Sequence, residues 1–201
     1  KWREHYYANI TLIDEGIGKM LGALESQGTL DDTLIIFTSD HGDALGDHDY
    51  PFKGFFYDFM SRVPLIIRGP DVPTNQRSAA LVSSLDLVPL FYNACETEAP
   101  NTLQGEDIRP LFNDPSTTIR EAAFSEIGGR MMVRTTHYKY AHYSDGSAEL
   151  YDLEADPNEI TNLAGNSTFG DIENQLKALL LEHGLHNQTY QSRYAPAPQY
   201  W

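Results

Sequence analysis

Two short, wholly apolar runs, Leu34–Phe37 and Val63–Ile67, constrain this chain more than any other feature. Asp31-Asp32 precedes the first and Thr38-Ser39-Asp40-His41-Gly42 follows it; Arg62 and Arg68-Gly69-Pro70 bracket the second. Short apolar runs without alternation read as strands buried on both faces, and such strands belong to parallel sheets covered by helices. Two of them cannot make a covered sheet. They need neighbouring strands that the rest of the chain does not offer, so the sequence reads as the C-terminal part of a larger α/β unit in preference to a sheet completed by another chain.

Helical periodicity flanks these runs. Tyr6, Ile10, Ile13, Ile17, Met20 and Leu24 recur at helical spacing, which predicts a helix over residues 3–27 closed by Gly28 in a left-handed conformation. A second helix is expected over residues 86–95, with Asp86 as its N-cap and Pro89 in its first turn, where a missing N–H costs nothing. After Asn113-Asp114-Pro115 the pattern changes. Four β-rich segments follow, Ala122–Ile127, Arg130–Thr135, Tyr138–Tyr143 and Ala148–Leu153, with Gly128-Gly129 and Asp145-Gly146 as tight hairpin signals between them. An amphipathic helix over residues 171–183 comes next, then a tail with Tyr190, Tyr194, Pro196, Pro198, Tyr200 and Trp201 that is expected to lie extended along a surface. The expected organisation is residues 1–115 as part of a mainly parallel sheet flanked by helices. Residues 116–201 form a small four-stranded antiparallel sheet with one helix and the tail.

Composition excludes some functions. Lys+Arg of 14 against Asp+Glu of 29 leaves a net charge of −15, which argues against a nucleic-acid surface and against docking on anionic lipid. No apolar run is long enough to span a membrane. The single Cys95 rules out an internal disulfide or a CxxC metal site.

The chemistry concentrates in Asp40–Asp49, which holds Asp40, His41, Asp43, Asp47, His48 and Asp49. Asp40 and His41 follow a strand, and strand C-terminal ends are where open α/β sheets place ligands. A carboxylate beside an imidazole makes a plausible metal-ligand pair. Four Asp in ten residues repel one another, which a bound cation would relieve. The competing reading is a solvated acidic loop that contains two His by accident, and spacing alone leaves the two even. Lys53 stands among aromatics in Pro51-Phe52-Lys53-Gly54-Phe55-Phe56-Tyr57. It suits an anion or a leaving oxygen; taken alone, a lysine whose stem covers apolar surface is the commoner case.

Taken in order, these residues resemble the sulfatase branch of the alkaline-phosphatase-like hydrolases. The residues that carry the resemblance are Tyr7-Ala8-Asn9-Ile10 to Ile17-Gly18, Asp32 to Gly42, Leu45-Gly46-Asp47-His48, Lys53, Arg62 to Ile67, Ser84-Leu85-Asp86-Leu87-Val88-Pro89 and Leu103-Gln104-Gly105-Glu106-Asp107. Tyr138-Lys139-Tyr140, Glu149 to Leu153 and Asp156-Pro157-Asn158-Glu159 extend it through the second part. The resemblance implies that Asp40 and His41 are the late pair of metal ligands and that Lys53 contacts the sulfate group. His48 is left between substrate contact and loop scaffold. It implies a divalent metal, calcium first and manganese or zinc as options, and a formylglycine nucleophile made from a Cys in a Cys-x-Pro-Ser-Arg motif. Cys95, in Asn93-Ala94-Cys95-Glu96-Thr97, does not match that motif. No nucleophile is therefore expected in this chain, and the N-terminal half of the same protein is its expected partner. The substrate implied is a sulfate ester. A phosphonate monoester or phosphodiester hydrolase of the same superfamily is one alternative, and a truncated, non-catalytic binding module is another. A secreted or periplasmic location is preferred to the cytoplasm.

Overall fold

The computed structural model describes residues 1–194, with side chains described through residue 187. The chain divides into two compact units. One comprises Lys1–Ala80 with Ser84–Ile119, and the other comprises Leu81–Ser83 with the chain from Arg120 onward.

In the first unit, α1 (Trp2–Ser26) realises the periodic stripe. Gly28, at φ 70°, ends it as expected, and the Thr29 amide reaches back to the Leu24 carbonyl at 3.0 Å. No residue of α1 is buried; Ile10, Ile13 and Met20 lie open on the stripe that the sequence marks as a core face. Next come β1 (Ile35–Thr38), the short α2 (Asp58–Ser61) and β2 (Leu65–Arg68). β1 and β2 pair antiparallel, with Ile35 opposite Arg68 and Thr38 opposite Leu65. The apolar runs suggested parallel neighbours, and for this pair that reading is corrected. A four-residue apolar run encodes burial but not direction, and mainly parallel sheets often carry one strand that runs the other way. β2 starts at Leu65 because Pro64 has no N–H to give to a ladder.

The helix expected over residues 86–95 is α3 (Leu87–Ala94), preceded by a 3₁₀ turn at Ser84–Asp86. Asp86 occupies the N-cap position but makes no capping bond. It is fully buried, and its carboxylate accepts the Glu106 amide at 2.8 Å. The residue is thus a tie between two segments. The reading as a cap failed because the side chain turns away from its own helix. Cys95 caps the C-terminal end of α3 and is exposed. A single turn, α4 (Pro110–Asn113), closes the unit.

The second unit is a meander of β3 (Ala123–Ile127), β4 (Arg130–Arg134), β5 (Tyr138–His142) and β6 (Ala148–Asp152), paired antiparallel in chain order. Gly128 and Gly129 take φ of 55° and 77°, the left-handed values that a two-residue hairpin requires. α5 (Gly170–Tyr194) lays Leu176 and Leu180 on Val133, Tyr140 and Leu150. Burying each such side chain contributes about 1.5–3 kcal/mol. α5 runs past the expected end at residue 183 and takes in the start of the tail that was expected to be extended. Nothing between Gly184 and Pro196 interrupts a helix. The rest of that tail lies outside the described residues. On the opposite side of β5, Lys139 and Glu159, each 1% exposed, form an ion pair at 2.5 Å.

Candidate active site

The strand β1 delivers Asp40 and His41 at its C-terminal end. The first carboxylate oxygen of Asp40 accepts the His41 amide at 2.9 Å and the Ser39 hydroxyl at 3.3 Å. The His41 amide, with the Ser39 hydroxyl assisting, holds the Asp40 carboxyl below its usual range. The second oxygen lies 3.3 Å from His41 Nε2. His41 Nδ1 lies 2.8 Å from the Gly42 carbonyl oxygen. A carbonyl only accepts, so Nδ1 carries the hydrogen and Nε2 keeps its lone pair. Lys53 donates to that nitrogen at 2.6 Å. Three side chains that the sequence singles out, Asp40, His41 and Lys53, therefore converge.

Gly42 fits this corner because two backbone segments meet there. A Cβ there would lie 1.9 Å from the Phe59 carbonyl oxygen, and the Gly42 amide donates to the Met60 carbonyl at 2.7 Å. Close approach of two backbones is what excludes a side chain.

The segment from Ala44 to Tyr50 is a tight loop with left-handed backbone at Leu45, Gly46, His48 and Asp49. The Gly46 amide donates to the Tyr50 carbonyl at 3.0 Å, and the Asp47 amide to the Ala44 carbonyl at 2.8 Å. The His48 ring meets Tyr57 at 4.3 Å and Phe59 at 5.3 Å, centroid to centroid, and Tyr57 stacks on Phe59 at 5.3 Å. Sequence reasoning missed these partners, and it missed Arg3, whose guanidinium pairs with Asp47. The aromatic run from Phe52 to Phe59 was the available signal for the rings. Nothing local marked Arg3, which lies in another element.

Fit to a divalent cation can be judged from the donors. A carboxylate oxygen and an imidazole lone pair 3.3 Å apart could bind one ion together. The Nδ1–H bond to Gly42 is the usual way in which a ligating imidazole is oriented. The pair fits. Among the described residues no group of three or more His, Cys, Asp or Glu converges on one point.

The pattern for N-sulphoglucosamine sulphohydrolase, C-terminal, matches residues 46–186. The chain belongs to the sulfatase family. A second family pattern, for a protein family of unknown function, matches residues 1–82. Among individual relatives, the N-acetylglucosamine-6-O-sulfatase of Bacteroides thetaiotaomicron is 32% identical over 197 residues, covering 90% of this chain and 35% of the relative. The choline-sulfatase of Rhizobium meliloti is 36% identical over 172 residues, covering 82% of this chain and 33% of the relative. A solved structure of a protein in complex with its substrate D-glucosamine-2-N,6-O-disulfate superposes with a TM-score of 0.80 at 32% identity, over 93% of this chain and 40% of the other. The phosphonate monoester hydrolase of Agrobacterium radiobacter superposes with a TM-score of 0.75 at 28% identity, over 94% of this chain and 40% of the other. The chain thus spans about a third of the length of the curated sulfatases it matches. Its fold is the corresponding piece of the alkaline-phosphatase-like α/β architecture with the four-stranded antiparallel sheet and helix.

Proposed function

We propose that this chain is the C-terminal part of a sulfatase, a hydrolase of sulfuric esters, and that Asp40, His41 and Lys53 belong to its active site. The observation that carries the reading is the contact of Lys53 Nζ with His41 Nε2 at 2.6 Å, beside the Asp40 carboxylate. A flexible lysine has no structural need to end on an imidazole lone pair at a strand's C-terminal end. It does have a reason to be there if that spot holds an anion next to a cation.

In this reading Asp40 and His41 supply two ligands of a divalent metal, calcium first, with manganese or zinc compatible with an N,O pair. The bound ion supplies positive charge against the nucleophile and the transferred group. The remaining ligands and the formylglycine nucleophile come from sequence outside these residues, in the N-terminal half of the same protein. The work of the present residues is orientation and charge. The Gly42 carbonyl fixes the His41 ring. The His41 amide keeps Asp40 ionised and aimed. Lys53 places an ammonium where the sulfuryl oxygens gain negative charge as the ester bond breaks, and a group of that kind contributes about 3 kcal/mol in a closed site. Sulfated sugars are one substrate class that the relatives' names support, beside aryl and choline sulfates.

The test is turnover by the complete protein, metal-loaded, on a panel of 4-nitrophenyl sulfate, 6-O-sulfated glucosamine and a phenyl phosphonate monoester. Sulfate-ester hydrolysis is expected, and Lys53→Ala should lower kcat/KM about a hundredfold or more. Unchanged turnover in Lys53→Ala would take the anion-holding role away from Lys53. The phosphonate arm has a specific motive in the superposition on a phosphonate monoester hydrolase: preference for that substrate would replace the sulfatase reading with the second one.

A further inference from the structure

We infer that His48 is a positioning residue for Lys53, acting through its ring and not by touching substrate. The inference rests on the reading of Lys53 given above and adds a residue to it.

The loop between His41 and Lys53 has to double back to bring the lysine onto the imidazole. Its backbone is costly to hold in that shape. Leu45, His48 and Asp49 all have positive φ, at 50°, 52° and 62°. Non-glycine residues persist there only when the surroundings over-determine them, and such residues cluster at functional sites. The surroundings here can be named. Arg3 pairs with Asp47 on the outer side of the loop. On the inner side His48 closes a cluster in which its ring, Tyr57 and Phe59 meet pairwise at 4.3, 5.3 and 5.3 Å. Tyr57 is buried at 6% exposure, and Phe59 is the residue whose carbonyl presses on Gly42. The cluster therefore joins the outgoing limb of the loop at His48 to its returning limb at Tyr57–Phe59. That returning limb is in backbone contact with the residue after His41. Tyr50, two residues beyond His48, adds a second ring contact to the returning limb, with Phe55 at 4.0 Å. Lys53 lies inside both of these nested contacts, at the tip of the loop that they close. His tolerates the left-handed conformation better than most residues and also brings a flat ring. A residue chosen only for backbone would be Gly or Asn. One chosen only for packing would be a larger aromatic.

Two substitutions separate the roles. His48→Phe keeps the ring and removes its nitrogens. His48→Asn keeps a left-handed preference and removes the ring. In the complete, metal-loaded protein His48→Asn should lower kcat on the best sulfate ester by roughly a hundredfold, the scale of a misplacement of about 1 Å. His48→Phe should recover most of that loss. Adding His48→Asn to Lys53→Ala should cost little more than Lys53→Ala alone, because both act through one ammonium. Crystal structures of the variants give a readout free of substrate. In crystals grown without metal the Lys53–His41 contact should survive in His48→Phe and be lost in His48→Asn, so a failure of the sulfatase reading leaves this arm intact. If His48→Asn does not accumulate as folded protein, Phe59→Leu, which strips a partner ring, carries the same expectation. Three results would each overturn the inference. One is His48→Phe as impaired as His48→Asn with the contact intact, which makes His48 a substrate contact. Another is His48→Asn active and His48→Phe impaired, which makes it a backbone device only. The last is neither variant impaired.

Discussion

Glu173 shows how one carboxylate serves three purposes. It stands in the first turn of α5, where negative charge is favoured by the helix dipole. Its oxygens accept the Lys177 ammonium at 2.6 Å and the Gly165 amide at 2.9 Å. The Lys177 bond, with the Gly165 amide next, holds its carboxyl below the usual range. A carboxyl depressed on folding stabilises the fold above its unfolded pKa, about 4.3 for glutamate, and that stability is lost as pH falls through the lower folded value. The gap in Tm between the parent chain and Glu173→Gln should therefore be full at neutral pH and should close below about pH 4. Thermal melts of both across that range read it directly; a gap unchanged at low pH would assign the effect to packing. Asp40 is similarly depressed by its neighbour's amide, but it is 81% exposed at its side chain. Its low range therefore has little to do with stability. Asp86, by contrast, is buried and accepts the Glu106 amide.

At the scale of elements the second unit hangs on its buried ion pair. Lys139 on β5 and Glu159 in the loop after β6 are each 1% exposed and 2.5 Å apart, and Glu159 is held at φ 58° to reach. Removing one partner of such a pair leaves a buried charge alone, at a cost of about 3–5 kcal/mol. Glu159→Ala should lose that much in urea unfolding, whereas Lys139→Met with Glu159→Gln should lose clearly less than the sum of the two singles. Additive losses would show that the pair is not coupled. The elements themselves were legible to different degrees. The four strands of the second unit were read within a residue or two because their information is local: Gly128-Gly129 and Asp145-Gly146 fix the hairpins, and consecutive strands pair. The direction of β2 against β1 was not legible, since Leu65–Ile67 carries no mark of polarity. Asp40, His41 and Lys53 could be picked out as candidates, but their convergence depends on a loop whose shape is set by His48, Tyr57, Phe59 and a distant Arg3, none of which announces its partner in sequence.

At the scale of the whole molecule the two units are unequally provided with interior. The second unit surrounds Val133, Tyr140 and Leu150 with a sheet and a helix, and all three are at most 1% exposed. In the first unit α1 buries nothing, Phe37 and Ile66 on the paired strands are 38% and 61% exposed, and among the described residues no helix is long and apolar enough to cross a membrane. Beyond the Arg3–Asp47 pair at its start, a helix whose apolar stripe is open draws its stability from local bonds, and such helices are marginal even at this length. The chain is also only about a third as long as the sulfatases it matches. Local opening free energy follows local burial. Amide hydrogen exchange on residues 1–201 as an isolated chain should then be slow for Val133, Tyr140 and Leu150 and faster by several orders of magnitude across Trp2–Ser26. In a complete protein the same α1 amides should slow toward the values of β4 and β5, because covering Ile10, Ile13 and Met20 converts local opening into sub-global opening. Equal protection of α1 and β4 in the isolated chain would mean that α1 finds its cover within these residues, and the apolar stripe would no longer argue for more of the fold.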